Sequence, residues 1–272
     1  MKFSYMVVSN EVKGTLVTGL KGEYDFLFKI ISENGFNGVE LLIKNPFLVN
    51  FNEVKKYLKK YNLELPVICT GEIYGEDGLS FADSDPSIRK EAIKRTIETM
   101  KIAEEFNANV NVGRLRGRFV DGVKREDTIE WSKEGFLTCA ESNRNVNLLL
   151  EPINHKVSNY VLTTNEGVSF IKDLNKPNIR LMLDYIHMMI ENENLAESMM
   201  ASEGCYDHVH VCDTDRKPLG LGSYNIEEFA NLLMKSGYDG YVSIEAFDNS
   251  EYQSYLYKSK EILDRAFKVN KN

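Results

Sequence analysis

Short apolar runs and longer amphipathic stretches alternate eight times along this chain, and that alternation restricts the fold more than any other feature. The apolar runs fall at about 2–8, 37–43, 64–70, 108–112, 146–151, 179–184, 207–212 and 241–245. The amphipathic stretches fall between them, at about 22–34, 52–61, 85–106, 125–144, 164–174, 191–203, 225–236 and 250–268. Many of the runs are rich in Val, Ile and Leu, as strands buried on both faces are. Alternating strands and helices predict a parallel sheet with its helices outside. Eight such units close into a barrel, and 272 residues is near the roughly 250 that a barrel takes. An open doubly wound sheet usually announces a G-x-G-x-x-G turn after its first strand, and VSNEVKGTLVTGL is not one. The expected fold is α/β, a single (β/α)8 TIM barrel, with residues 1–272 as one domain.

Local punctuation agrees with these boundaries. Gly35 and Gly237 fall just past helical stretches, where a left-handed cap favours glycine. Asp85 can cap the third long helix, and Pro86 suits its first turn.

The formal net charge is −8, which disfavours a nucleic-acid partner, since Lys and Arg hold the phosphate backbone. Cys69, Cys139, Cys205 and Cys212 form no C-x-x-C pair and suggest neither a zinc ribbon nor a disulfide framework. They read as reduced thiols of a cytoplasmic protein. The start, MKFSYMVV, reads as a first strand and not as a secretory segment. No run approaches the ~18 apolar residues of a membrane span.

The chemistry concentrates at the ends of the last four strands: Glu151, Asp184, His210 and Glu245. Residues at the carboxyl ends of barrel strands converge on one mouth. Taken singly, a strand-end Glu can be a salt-bridge partner, Asp184 a helix cap and His210 a satisfied buried imidazole. Three carboxylates and an imidazole together repel unless a cation sits between them, so one divalent metal ion is expected there. The donor set favours Mn²⁺, with Mg²⁺, Co²⁺, Fe²⁺ and Zn²⁺ also compatible.

His187 and Arg216 follow Asp184 and His210 at short range and are candidate substrate contacts. A helix-start surface position for His187, and an ion pair of Arg216 with Asp213 or Asp215, are the plainer alternatives. Arg114, Arg116 and Arg118 alternate after the fourth strand and would share one side if that strand continued. Arg114 there is a candidate anion clamp, or else pairs with Asp121, Glu126 or Asp127 in a solvated loop. Glu72, Glu40 and His155 are further mouth candidates, and His208 is expected one layer below His210.

At these residues the chain resembles the xylose isomerase-like barrel superfamily. More closely, it resembles the sugar phosphate isomerase/epimerase group that includes D-tagatose 3-epimerase and related ketose epimerases. The matching segments, in order, are GFNGVEL, LLLEPIN, LMLDYIHM, HVHVCDTDR and YVSIEAF. The resemblance implies Glu151, Asp184, His210 and Glu245 as metal ligands, Glu151 and Glu245 as the acid–base pair, and His187 and Arg216 on the substrate. It implies a metal-dependent sugar isomerase or epimerase working through an enediolate on a small carbohydrate. A homo-oligomer, built on exposed Tyr and Phe of the loops around the last two strands, is suggested by family analogy alone. Two places depart from the family: Val157 stands where a substrate-contacting Glu is usual, and Asn225 ends a motif that usually ends in Asp.

Other readings are a lyase of the same fold, such as an inosose dehydratase, an endonuclease IV-like hydrolase, and a non-catalytic barrel. The hydrolase needs many more histidines than the four present.

Overall fold

The eight apolar runs become eight parallel strands: β1 Lys2–Val8, β2 Gly38–Leu42, β3 Val67–Cys69, β4 Asn109–Val112, β5 Leu148–Leu150, β6 Ile179–Asp184, β7 Tyr206–Val211 and β8 Tyr241–Ile244. The structure is a computed structural model, and it describes residues 1–247 and 252–268. The strands pair in chain order and close from β8 back to β1, giving the (β/α)8 barrel.

The helices are α1 Tyr24–Glu33, α2 Phe51–Tyr61, α3 Gly71–Gly75, α4 Pro86–Phe106, α5 Arg125–Ser142, α6 Thr164–Leu174, α7 Tyr185–Ile190, α8 Leu195–Ala201, α9 Glu227–Lys235 and α10 Tyr252–Ala266. Asp85 caps α4 as expected, accepting from Ser87 N at 2.7 Å, with Pro86 in the first turn. Gly35 and Gly237 adopt φ of 79° and 74° just past α1 and α9. Three further helices end instead on a left-handed asparagine: Asn62, Asn107 and Asn175. Asparagine tolerates this conformation better than other residues with a Cβ.

Two short helices were not legible in the pattern. The α3 helix is one turn long. The α7 helix precedes the stretch expected as a helix over 191–203, which forms α8 alone; the two are separated at Asn192, with φ 53°, and α8 is started by Asn194, whose side chain accepts from Glu197 N. The start of the helix expected over 250–268 lies partly outside the described residues.

Most barrels of this kind fill their interior with layers of branched apolar side chains. Val67, Leu149 and Met182 form such a cluster here. Beside it the interior buries Glu40, Asn111, His208 and His210, each at most 1 % exposed. Polar groups so deep persist only when hydrogen-bonded, and their partners are in the metal centre described next. Among the described residues no helix is long and apolar enough to cross a membrane, and the four cysteines are free.

Candidate metal centre and active site

Strand register builds the centre. Asp184 and His210 are direct partners across β6 and β7, and His210 pairs with Ser243 of β8, two residues before Glu245. Glu151 follows β5, whose Leu150 pairs with Leu181 of β6. One donor atom from each of Glu151, Asp184, His210 and Glu245 lies within 4.8 Å of all the others, and all four residues are buried.

At an effective dielectric of about 20, two like charges about 4.8 Å apart repel by roughly 3.5 kcal/mol. Three carboxylates at this spacing need a cation. Arg216 supplies part of it, with Nη1 at 2.5 Å from Glu245 Oε2 and 2.9 Å from Asp184 Oδ2. Its guanidinium does not complete the site. Asp184 Oδ1 accepts from Ile186 N and so caps α7, but buried Oδ2 has no donor aligned on it. A buried carboxylate oxygen whose nearby cation is shared with Glu245, facing two further carboxylates and an imidazole, fits a divalent cation.

The outer oxygens of the two glutamates are held by neutral donors. Asn111 Nδ2 donates to Glu151 Oε2 at 3.1 Å, and Thr18 Oγ1 donates to Glu245 Oε1 at 2.7 Å. Thr18 lies on the β1–α1 loop, which pairs as an antiparallel bridge with Phe247. No pattern in the chain marks this residue, which is 227 positions from Glu245. Asn111 and Asn154 were likewise missed. Each stands in a stretch already marked for the site; the available signal was an interior Asn on a barrel strand for Asn111 and a place three residues after Glu151 for Asn154.

The two glutamates are driven apart in proton affinity. Burial, then repulsion from Glu245, pushes Glu151 up to about 8. Burial acts the same way on Glu245, but the Arg216 guanidinium and His210 outweigh it and hold that carboxyl well below the usual range. Burial, followed by Arg216, holds the His187 imidazole well below its ordinary value, so the ring is neutral.

His187 sits in the first turn of α7 and is buried, not at the surface. Its Nδ1 faces Asn154 Nδ2 at 2.6 Å, and its Nε2 faces Arg216 Nη2 at 3.0 Å and Glu151 Oε1 at 3.6 Å. Arg216 pairs with the site carboxylates and with neither Asp213 nor Asp215; the latter approaches Lys217. Asp215 and Arg216 both have positive φ, 59° and 56°. Asp213 stabilises that turn, accepting from Thr214, Gly220 and Tyr224 backbone N–H groups. A Cβ on Gly222 would meet Thr214 Oγ1 at 2.2 Å, so the close approach requires glycine there.

The mouth above is a cavity of about 530 Å³, within the range of small-molecule sites. Glu72, Arg114, Asn154, Val157, His187 and Arg216 all line it. Glu72 and Arg114 face each other as an ion pair, 2.6 Å between Oε1 and Nη2. Gly75 makes room for them, since a Cβ there would lie 2.3 Å from Glu72 Oε2.

The arginine alternation after β4 does not hold. The strand stops at Val112 and residues 114–116 form a 3-10 turn. Arg118 is exposed, while Arg116 is fully buried and donates to the carbonyls of Gly113, Glu151, Tyr160 and Val161. His155 also falls outside the mouth. It is exposed and pairs with Glu191 at 2.6 Å, because the loop after β5 turns it outward. Asn225 is exposed, and its side chain accepts from Glu227 N at the start of α9. That departure from the family pattern therefore does not touch the metal centre, whereas Val157 does face the mouth.

Comparison with known proteins agrees with this architecture. Residues 28–268 match the family described as xylose isomerase-like TIM barrel, and the chain belongs to that family. A ketose 3-epimerase of Arthrobacter globiformis is 23 % identical over 222 residues, 80 % of this chain and 75 % of the relative. A 3-dehydro-D-guloside 4-epimerase of Escherichia coli is 25 % identical over 248 residues, covering 85 % and 90 %. A D-allulose 3-epimerase from a Methylomonas species, solved in complex with D-allulose, superposes with a TM-score of 0.79 at 19 % identity, covering 98 % of this chain and 95 % of that one. The superposition establishes the fold. Together with the curated relatives, the family places the chain among sugar isomerases and epimerases.

Proposed function

We propose that this protein interconverts isomers of a small keto-sugar by moving one hydrogen at a carbon beside the carbonyl. Glu151 and Glu245 serve as the acid–base pair, and Glu151, Asp184, His210 and Glu245 hold one divalent ion. The observation that carries this reading is the convergence of three carboxylates and one imidazole within 4.8 Å, two of the carboxylates being glutamates, at the floor of an open cavity. Mn²⁺ is the ion proposed, because the set has three carboxylates, one imidazole and no thiolate. When bound, it supplies Lewis acidity that makes the C–H beside a carbonyl acidic enough for a carboxylate to take its proton.

Glu151 and Glu245 leave β5 and β8, the two ends of the four-strand arc. A sugar seated between them has a carboxylate on each side. One takes the proton, and the electron pair passes into the carbonyl as an enediolate. The other returns a proton to the opposite face of the same carbon, and the centre inverts. Thr18 and Asn111 each hold one oxygen of their glutamate, which fixes the direction of the other.

Neutral His187 is approached by donors on both ring nitrogens, Asn154 Nδ2 and Arg216 Nη2. A neutral ring accepts from one of them, so the second is available to a substrate oxygen. The ketose and dehydro-guloside epimerases among the relatives invert, by their names, a sugar carbon, and a ketose or keto-sugar is the substrate class proposed here. A cytoplasmic setting is proposed from the reduced cysteines.

The test is a panel of ketoses, keto-glycosides and sugar phosphates incubated with Mn²⁺-loaded protein in D₂O. The expected result is one deuterium per turnover at a single carbon and formation of the epimer. Loss of water from the substrate would instead assign the chain to the lyases. No exchange with any member would remove the epimerase reading.

A further inference from the structure

Glu40 belongs to β2 and approaches the metal centre from across the barrel, not from a neighbouring strand. Its carboxylate reaches two histidines on β7. His208 Nε2 lies 2.9 Å from Oε2, and His210 Nε2 lies 2.9 Å from both Oε1 and Oε2. All three residues are at most 1 % exposed, and the two rings stand edge to face, 5.2 Å apart at 82°. Glu40 does not line the mouth, so it is beyond the reach of a substrate.

A carboxylate only accepts, so Nε2 of His210 donates to it. The other ring nitrogen, Nδ1, is thereby the one presented to the ligand cluster, where it lies 3.0 Å from Glu245 Oε2. We infer that Glu40 is a positioning residue for the metal centre: anchored by His208 below, it fixes the His210 ring with Nδ1 as the metal-binding atom and strengthens that atom as a donor. The inference rests on the metal site proposed above. It also accounts for a glutamate in a barrel interior where apolar residues are the norm: no oxygen of Glu40 is without a partner, and its shorter relatives would not span from β2 to β7.

Wild-type protein labelled with ¹⁵N-histidine and loaded with ¹¹³Cd²⁺ tests the geometry without any substitution. The expected result is cadmium coupling to Nδ1 of His210, with a proton on Nε2; coupling to Nε2 overturns the inference. Calorimetric titration of Mn²⁺ then tests the energetics. Glu40→Gln offers one acceptor and one donor in place of two acceptors, and should weaken Mn²⁺ binding by about 10–100-fold. It should also shift the visible bands of the Co²⁺-loaded protein. His208→Gln keeps an N–H donor near the Nε2 position and should stay within about threefold of wild type, while His208→Met should resemble Glu40→Gln. Wild-type affinity and an unchanged Co²⁺ spectrum in Glu40→Gln or His208→Met would refute the positioning role and leave the four-ligand centre standing. Failure of wild-type protein to bind any of the three ions would instead refute the centre itself.

Discussion

Arg216 Nη1 lies 2.5 Å from Glu245 Oε2, so one of the two proposed proton carriers is held by the same side chain that is proposed to meet the substrate. This relationship separates metal binding from turnover. Arg216→Met removes a cation that faces two of the four metal ligands. It is expected to bind Mn²⁺ at least as tightly as wild type while losing about 10²-fold or more in kcat. Calorimetry and steady-state kinetics on the same preparation check the split.

Glu151→Gln and Glu245→Gln preserve shape and remove the proton-carrying group. Each should retain the fold by circular dichroism and lose C–H exchange with solvent by about 10³-fold or more. Either variant exchanging deuterium at the wild-type rate contradicts the acid–base assignment.

Metal uptake should depend on pH with a defined sign. Without a bound ion, burial and the neighbouring Glu245 raise Glu151 to about 8, so below that pH the carboxyl carries a proton. An incoming ion must displace it. Against the effect of burial, Glu40 and Glu245 hold the His210 ring well above its ordinary value, and it must give up a proton too. Apparent affinity should therefore fall as pH drops from 8 towards 6, with proton release on binding. Calorimetry in buffers of different ionisation enthalpy measures the released protons. An affinity independent of pH across this window contradicts the state assigned to Glu151.

Arg116 is a structural residue despite its place beside the mouth. It donates to four backbone carbonyls in the interior and ties the loop after β5, where Val161 has φ 55°. Arg116→Met removes the guanidinium donors to all four carbonyls and leaves those of Gly113, Tyr160 and Val161 with only a neutral donor each, at a cost of about 3–5 kcal/mol. A fall in melting temperature on the order of 10 °C is expected, read by thermal denaturation.

The barrel and the four strand-end donors were legible because both follow from a simple period. Apolar runs mark buried strands, and the residue that ends each run points at one mouth. What lay across the barrel was not legible. Glu40 appeared as a mouth candidate because it sits in an apolar run, GVELL, but its distance below the mouth depends on how β2 is staggered against β7. Thr18 came from a loop with no period at all. Arg116 was misjudged because alternation was extended past Val112, where the backbone turns. The spacing of His187 to Asp184 put it at the mouth, where it lies, but the short helix that carries it falls between the apolar run 179–184 and the amphipathic stretch 191–203 and is too brief to show a period.

The central claim is one divalent ion held by Glu151, Asp184, His210 and Glu245, and titration of chelator-stripped protein with Mn²⁺ tests it most directly. The account predicts one site per chain in the wild type, and no measurable site in Asp184→Asn or His210→Ala at unchanged circular dichroism. Absence of binding by the wild type, or a full site in those variants, would contradict it.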